Sequence, residues 1–229
     1  MQQQACSRDK TERQRTNRGM ALCLLLLLGP SLAAAQVRIG PIAGFTSCKL
    51  GGDSPEGASY GRRSGGSFGL VGDIHLTDDV VLSIQPAYVQ RGTVVSYEVE
   101  DEAQDSLKLR LEYVDVAVMV KILPDSGSVF FTSGLGLGFL SSATMENVHG
   151  DANERDVADS FEDFDLSIAF GVGVRIPVAG TDLDLELRYG QSLLSIANED
   201  VALVAPGMPT RIRSSGLQLT AAWLFPLRR

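Results

Sequence analysis

The second half of the chain alternates strictly between apolar residues and polar or small ones. From Phe164 to Ile176 every even-numbered residue is bulky and apolar, and the residues between them are charged or small. The segment Leu183–Tyr189 repeats the pattern with charged residues in the intervening positions. A period of two is typical of β-strands, whose side chains point alternately to opposite faces of a sheet. These strands therefore have one apolar face and one polar face.

The same reading predicts eight strands after residue 35. They are Val37–Phe45, Ser67–Leu76, Val80–Arg91, Leu107–Ile122, Val129–Leu140, Phe164–Ile176, Leu183–Tyr189 and Arg211–Phe225. Short connections at 77–79, 124–127 and 179–181 alternate with long polar ones at 46–66, 92–106, 141–161 and 195–210. Outer-membrane barrels have short turns on the periplasmic side and long loops on the outer side.

The fourth predicted strand contains a change of phase. Leu107, Leu109 and Leu111 are odd-numbered, whereas the valines from Val114 to Val120 are even-numbered. A bulge, or emergence of the strand from the membrane near residues 112–113, would explain the change.

Apolar residues outside and charged residues inside describe a closed barrel in lipid. We therefore predict an all-β fold, an eight-stranded antiparallel up-and-down transmembrane β-barrel. A slip of the seventh strand by one residue would move its charges into lipid, where an Arg or Lys costs roughly 2–4 kcal/mol at mid-membrane. The main alternative is a soluble, lipocalin-like ligand-binding barrel, which needs large apolar residues on the inward face, and the charged inward positions argue against it.

Residues 1–35 have the features of a secretory signal peptide. A basic segment precedes the apolar run Met20–Leu28, and small residues stand at Ala33 and Ala35. The run is shorter than the ~20 residues of a transmembrane helix. We expect cleavage after about Ala35 and a single barrel domain, residues 36–229, in the bacterial outer membrane. Cys48 is the one cysteine after residue 35, so no internal disulfide is expected.

The polar residues of the inward face are predicted to form a structural network that fills the lumen. An eight-stranded barrel is just wide enough for side chains to fill it, and charges there must pair. A narrow ion or proton path is the alternative. The predicted network is Asp73, Gln85, Asp115, Lys121, Asp165, Arg175, Asp184, Glu186 and Arg188. Near the strand ends, an aromatic girdle at the membrane interfaces is predicted at Tyr88, Tyr189, Trp223 and Phe225.

The sequence predicts no catalytic, cofactor-binding or metal-ligating residue. Gly65–Gly69 matches G-x-S-x-G, but an alternating strand follows where a nucleophile elbow needs a helix. Gly134, Gly136 and Gly138 alternate with leucine inside a strand, unlike a phosphate-binding loop. His75 has no second ligand at metal spacing. We expect a protein that is not an enzyme.

The charge of the chain limits the kinds of partner that are expected. The formal net charge of −8 and the lack of a basic stripe argue against nucleic acid as a partner. Acidic clusters within 98–105 and 146–159 are expected to be solvated or to bind divalent cations at lipopolysaccharide. The expected partners are outer-membrane lipid and lipopolysaccharide, the barrel assembly machinery and an envelope protein.

Segments spread over residues 36–229 resemble the PorT-like family of small outer-membrane β-barrels. The most specific is Leu111–Lys121, a Tyr-Leu-Glu-Ile-Pro-like run closed by lysine, in which Ala117 takes the place of the proline. The others are Gly40–Phe45, Leu82–Gly92, Gly171–Val174 and Leu187–Gly190. The resemblance implies the barrel fold and the outer membrane, and some relatives are linked to protein secretion.

Three functions follow as hypotheses. The leading one is a structural or interaction role in the envelope through long outer loops. The second is an accessory part of a secretion or assembly machine, which the resemblance implies. The third is a narrow pore or an outer-membrane enzyme.

Overall fold

The computed structural model describes residues 36–52, 58–97, 106–124, 127–147, 154–197 and 212–227. The predicted signal peptide and its cleavage site lie outside the described residues, as do the acidic positions in 98–105 and 148–153 and most of the predicted loop 195–210. The described strands are β1 (Val37–Gly52), β2 (Ala58–His75), β3 (Val80–Tyr97), β4 (Ser106–Ile122), β5 (Val129–Asn147), β6 (Arg155–Asp156), β7 (Phe164–Val178), β8 (Thr181–Ser192) and β9 (Ile212–Pro226). A short 3-10 helix spans Ala158–Ser160. Among the described residues, no helix is long and apolar enough to cross a membrane.

Eight of these strands form one closed antiparallel ring. The order around the ring is β1, β2, β3, β4, β5, β7, β8 and β9, and β9 pairs again with β1. The two-residue strand β6 adds to the end of β5. Each ring strand is thus hydrogen-bonded on both edges, as a closed barrel requires. The predicted eight-stranded fold class is confirmed, with β6 as an addition.

The outer face of the ring carries a belt of exposed apolar side chains. Phe45 is 76% exposed, Phe68 63% and Leu219 54%, values that would be costly in water for so many large residues on one surface. We call this surface the apolar belt. It includes Ile39, Phe45, Phe68, Leu70, Ile84, Val114, Val118, Val120, Phe131, Leu135, Phe139, Phe170, Val172, Val174, Leu185, Leu187, Leu217 and Leu219.

The strands continue well past the belt at one end, and the predicted long loop at 46–66 is wrong. Strand β1 runs to Gly52 and β2 starts at Ala58, so that segment is mostly strand. Its glycines and serines suggested a loop, but the ladder to neighbouring strands sets its conformation, and propensity gives way to that context. We call the outer extension the strand segments 46–52, 58–66, 90–97, 106–112 and 141–147.

Tight turns close the opposite end, which we call the turn end. Ala179 (φ 48°) and Gly180 (φ 85°) form the two-residue connection of β7 and β8, and positive φ at both residues is typical of a hairpin turn. The Leu227 N–H donates to the Val37 carbonyl at 2.9 Å, so the two described ends of the barrel chain meet here.

The apolar residues of β4 switch from odd-numbered to even-numbered positions, but the side chains along the strand do not reverse direction there. Leu109, Leu111, Asp115 and Lys121 are all odd-numbered and all buried. The extra residue is Ser141 in β5, since Glu112 pairs with Ser142 and Tyr113 with Leu140. What changes along β4 is the chemistry of the lumen, which is polar within the belt and apolar within the outer extension.

Candidate functional site

The lumen at the turn end holds a cluster of ion pairs. Lys121 Nζ lies 2.8 Å from Asp73 Oδ2 and 2.9 Å from Asp184 Oδ2. Arg175 holds both oxygens of Asp184, with Nε to Oδ1 at 2.8 Å and Nη2 to Oδ2 at 2.8 Å. Its Nη2 also lies 3.1 Å from Asp73 Oδ2. The turn-end ion cluster thus comprises these four residues together with the ion pair of Arg38 and Asp182.

Strand register brings these charges together. Arg175 is directly opposite Asp184 on β7 and β8, and Arg38 is opposite Asp73 on β1 and β2. Residues that face each other across two antiparallel strands project to the same side of the sheet. Their charges therefore meet inside the ring although they are far apart in sequence.

Beneath Lys121 lies the ring of Phe130, with Nζ 5.3 Å from the ring centroid. Phe130 is fully buried, and it occupies space that Gly173 leaves, since a Cβ at Gly173 would lie 2.3 Å from Phe130 Cζ. The turn end is therefore filled by an aromatic ring as well as by ion pairs.

The middle of the lumen is held by Arg188. Its Nε and Nη2 lie 2.9 Å from the two oxygens of Glu186, and Nη2 also donates to Gln85 Oε1 at 2.9 Å. Thr132 Oγ1 donates to Glu186 Oε1 at 2.6 Å, and Gln85 Nε2 donates to Ser83 Oγ at 2.9 Å. This layer links strands β3, β5 and β8 across the barrel.

An upper triad of Arg91, Asp115 and Asp165 forms the third layer. Arg91 Nη1 lies 2.6 Å from Asp165 Oδ2, and Nη2 pairs with Asp115 Oδ2. Ser192 Oγ also donates to Asp165 Oδ2, at 2.9 Å, and the guanidinium lies 4.9 Å from the centroid of the Tyr113 ring. Two carboxylates therefore share one guanidinium, so Arg91 is the charge on which this layer depends.

Between the middle layer and the upper triad lies a cavity of about 80 Å³, whose lining includes Arg91, Asp115 and Arg188. Small residues leave this space, chiefly Gly136, Gly190 and Gly216. Among the described residues, three buried oxygens nearby have no hydrogen-bond partner: Asp115 Oδ1, Asp165 Oδ1 and Tyr113 Oη. Since a water needs roughly 10–15 Å³ of such space and several polar partners, this cavity suits a small group of waters.

The outer end of the lumen is closed by an apolar core. Phe161 and Ile196, from the connections after β6 and β8, pack with inward residues of the outer extension, and Phe161 pairs with Ala197. The Ile196 N–H donates to the Ile212 carbonyl at 2.8 Å, which ties the connection to β9. This outer apolar core is Leu50, Leu109, Leu111, Tyr113, Ala143, Phe161, Ile196, Ala197 and Ile212.

The structure places all nine predicted network residues in the lumen, but in three separate layers. Several partners escaped the sequence prediction: Arg38, Ser83, Arg91, Thr132, Asp182 and Ser192. Arg91 and Asp182 could have been predicted from the sequence, because each occupies an inward-facing position of its strand by alternation. The outer apolar core could not, because it combines strand residues with two connections that are distant in sequence.

The predicted girdle residues lie on the outer surface near the limits of the belt. Trp223 and Phe225 stack with ring centroids 6.0 Å apart at the turn end, and Trp223 Nε1 donates to Thr181 Oγ1 at 2.9 Å. Tyr88 packs against Phe68 with centroids 5.2 Å apart, and Tyr189 is 44% exposed.

The sequence motifs that were judged not to be functional sites lie within strands. Ser67 lies within β2, and its Oγ accepts a hydrogen bond from Gln218 Nε2 at 3.1 Å. The glycines of 134–138 lie within β5, where a Cβ at Gly138 would lie 2.8 Å from Asp115 Oδ1. His75 ends β2.

Residues 14–198 match the family model described as the outer membrane protein beta-barrel domain. The chain belongs to this family. Membership implies the bacterial outer membrane. The PorT-like resemblance of the sequence is narrower than this match.

Solved outer-membrane barrels are similar to this chain. The attachment invasion locus protein Ail of Yersinia pestis is 14% identical, with 83% of this chain and 99% of Ail covered and a TM-score of 0.40. Neisserial surface protein A is 14% identical, with 80% and 95% covered and a TM-score of 0.43. OprG from Pseudomonas aeruginosa is 10% identical, with 86% and 97% covered and a TM-score of 0.40. No curated protein matches the chain.

Proposed function

We propose that the protein is a non-enzymatic, non-conducting outer-membrane barrel with a structural or interaction role in the envelope. The observation that carries this proposal is the series of four side-chain layers that lie across the lumen, with one cavity between two of them. From the turn end outward there follow the turn-end ion cluster, the Arg188 layer, the upper triad and the outer apolar core. Of these, the apolar core is the strongest barrier, since an ion would have to shed its water to pass it.

The outer extension is the part suited to contact a partner. It continues the ring beyond the belt as paired strands, and its interior is packed by the outer apolar core. Packed, paired strands hold their outer side chains in fixed positions, so a partner would meet a pre-organised surface. We propose that Trp223, Phe225, Tyr88 and Tyr189 act as the interfacial girdle that fixes its height in the membrane.

Photo-crosslinking in intact outer membranes tests this role. A photo-reactive residue in place of Lys49 or Ser64, both exposed on the outer extension, is expected to give a stoichiometric protein adduct. The same residue in place of Leu219 in the apolar belt is the matched control and is expected to react with lipid. Absence of a protein adduct from both extension sites would contradict the interaction role.

A second candidate is an accessory role in a secretion or assembly machine. It is favoured by the PorT-like segment Leu111–Lys121, which holds Tyr113, Asp115 and Lys121 of the lumen layers. The same crosslinks separate the two candidates: an adduct with a component of the secretion apparatus supports this one, and an adduct with another envelope component supports the first.

A further inference from the structure

A groove on the outer extension brings three basic side chains together. Arg63 comes from β2, and Lys108 and Arg110 come from the membrane-distal half of β4. With Thr144, Glu146 and Glu154 they line a groove of about 180 Å³, which we call the outer groove. None of these residues belongs to the lumen layers described above.

Arg63 is held in the groove by a backbone adaptation. Its Nη1 donates to the carbonyls of Arg91 at 3.3 Å and Leu109 at 3.4 Å, so the side chain crosses β3 to reach β4. It passes over Gly92, where φ is 148° and where a Cβ would lie 2.1 Å from the Leu109 oxygen and 3.1 Å from Arg63 Nη1. Glycine at 92 therefore allows both the backbone geometry and the close crossing.

Two of the three basic side chains of the groove lack an ion-pair partner among the described residues. Arg110 Nε lies 3.8 Å from Glu112 Oε1, whereas Arg63 and Lys108 form no ion pair with any carboxylate in the part of the chain that the structure describes. Burial, and then the like charge of Arg110, lower the pKa of the Arg63 guanidinium. Arg63 and Arg110 are therefore close enough to repel each other, and an anion bound between them would offset that repulsion.

The groove lies at the outer edge of the lipid headgroup layer. On the outer face of β4, Val114 is the last exposed residue of the apolar belt before Arg110. Arg110 and Val114 are four positions apart, which corresponds to about 13 Å of strand and about 10 Å of height at a tilt of roughly 40°. The headgroup layer is about 5–8 Å thick on each side of the hydrocarbon core. The Cα atom of Arg110 therefore lies about 2–5 Å beyond that layer, and its long side chain can reach back to a headgroup phosphate.

We propose that the outer groove binds a phosphate group carried by a lipid headgroup of the outer leaflet, the phosphorylated saccharide of lipopolysaccharide. Guanidinium and phosphate match in geometry and charge, and two arginines with a lysine and the Thr144 hydroxyl supply donors from several directions. Glu146 and Glu154 line the same groove and oppose this attraction. The inference rests on the outer-membrane location and not on a protein partner.

Binding to lipid vesicles tests the site. The full-length protein, purified from outer membranes and placed in phosphatidylcholine vesicles, is titrated with bisphosphorylated lipid A and with its dephosphorylated form. We expect Arg63→Gln and Arg110→Gln to weaken binding of the phosphorylated form roughly ten-fold each. Arg213→Gln, at an exposed arginine of β9, is the matched control and should leave binding unchanged.

Two further arms identify the ligand. Glu146→Gln should strengthen binding about two- to five-fold if the ligand is an anion, whereas weaker binding would assign the groove to a cation and overturn the proposal. Equal affinity for dephosphorylated lipid A, or no effect of Arg63→Gln, would also overturn it. Inorganic phosphate that binds as tightly as the lipid would assign the site to free phosphate instead of a headgroup. None of these measurements uses a protein partner. Failure of the crosslinking experiment and failure of the phosphate-binding proposal can therefore be distinguished.

Discussion

Replacement of Arg91 by methionine is the most informative perturbation of the lumen. Arg91 is the one cation of the upper triad, and its guanidinium neutralises Asp115 and Asp165 together. Methionine keeps most of the apolar stem but leaves two carboxylates facing each other, with Asp165 only 1% exposed. Removal of one partner from a buried ion pair typically costs about 3–5 kcal/mol.

The expected loss is readily measured by urea unfolding in vesicles. At a slope of about 2–3 kcal/mol per molar urea, that loss lowers the unfolding midpoint by roughly 1–2.5 M. Trp223, the single tryptophan of the chain, reports the transition by fluorescence. Arg213→Met, at an exposed arginine of β9, is the control and should change the free energy of unfolding by no more than about 0.5 kcal/mol.

A second variant separates charge from packing. If the penalty is electrostatic, adding Asp165→Asn to Arg91→Met should restore about half of the lost stability, because one of the two uncompensated charges is gone. If Arg91→Met unfolds within 1 kcal/mol of the Arg213 control, the buried triad does not stabilise the barrel and the reasoning is refuted.

Three other perturbations probe the remaining layers. Gly173→Ala should destabilise the barrel by about 1–3 kcal/mol in urea unfolding, because its Cβ would collide with Phe130, and an unchanged midpoint would contradict the packed turn end. Leu219→Arg in the apolar belt should cost roughly 2–4 kcal/mol, whereas Ser215→Arg on the same face of β9 should cost little; equal costs would contradict the belt. Phe161→Ala should remove about 3–5 kcal/mol of packing from the outer apolar core. Limited proteolysis of intact vesicles should then cut that variant faster in the outer extension than within the belt, and unchanged cleavage would argue against the outer plug.

The sequence predicts the membrane part of the barrel well, because lipid outside and charge inside impose alternation on every strand. The pattern is clearest in β7 and β8, whose outward residues are apolar from Phe164 to Val178 and from Leu183 to Tyr189. Their inward residues include Asp165, Arg175 and Arg188. Beyond the belt no lipid enforces the pattern, so glycine- and serine-rich segments such as 58–66 resemble loops. Their strand structure depends on pairing with neighbours, which a single sequence does not display.

The partners of the network residues required the ring itself. Asp73 and Lys121 lie on β2 and β4, which are not neighbours, and their contact follows from closure and curvature of the barrel. The outer apolar core also depends on the folded structure, because Phe161 and Ile196 lie in connections between strands and contact the cluster of Leu111 only after these connections fold back. The alternation of apolar and polar residues predicts the face of the sheet on which each residue lies. The residue that it contacts across the lumen depends on closure of the ring.

Single-channel recording in planar bilayers tests the occluded lumen most directly. The protein is inserted from vesicles, with the heat-dependent gel mobility of a folded barrel as the check on its state and a porin recorded in parallel as the positive control. A flat baseline without steady open-channel steps is expected, because three charged layers and the outer apolar core lie across the lumen. Reproducible steps of constant conductance from the folded protein would contradict the account and make a narrow pore the leading function.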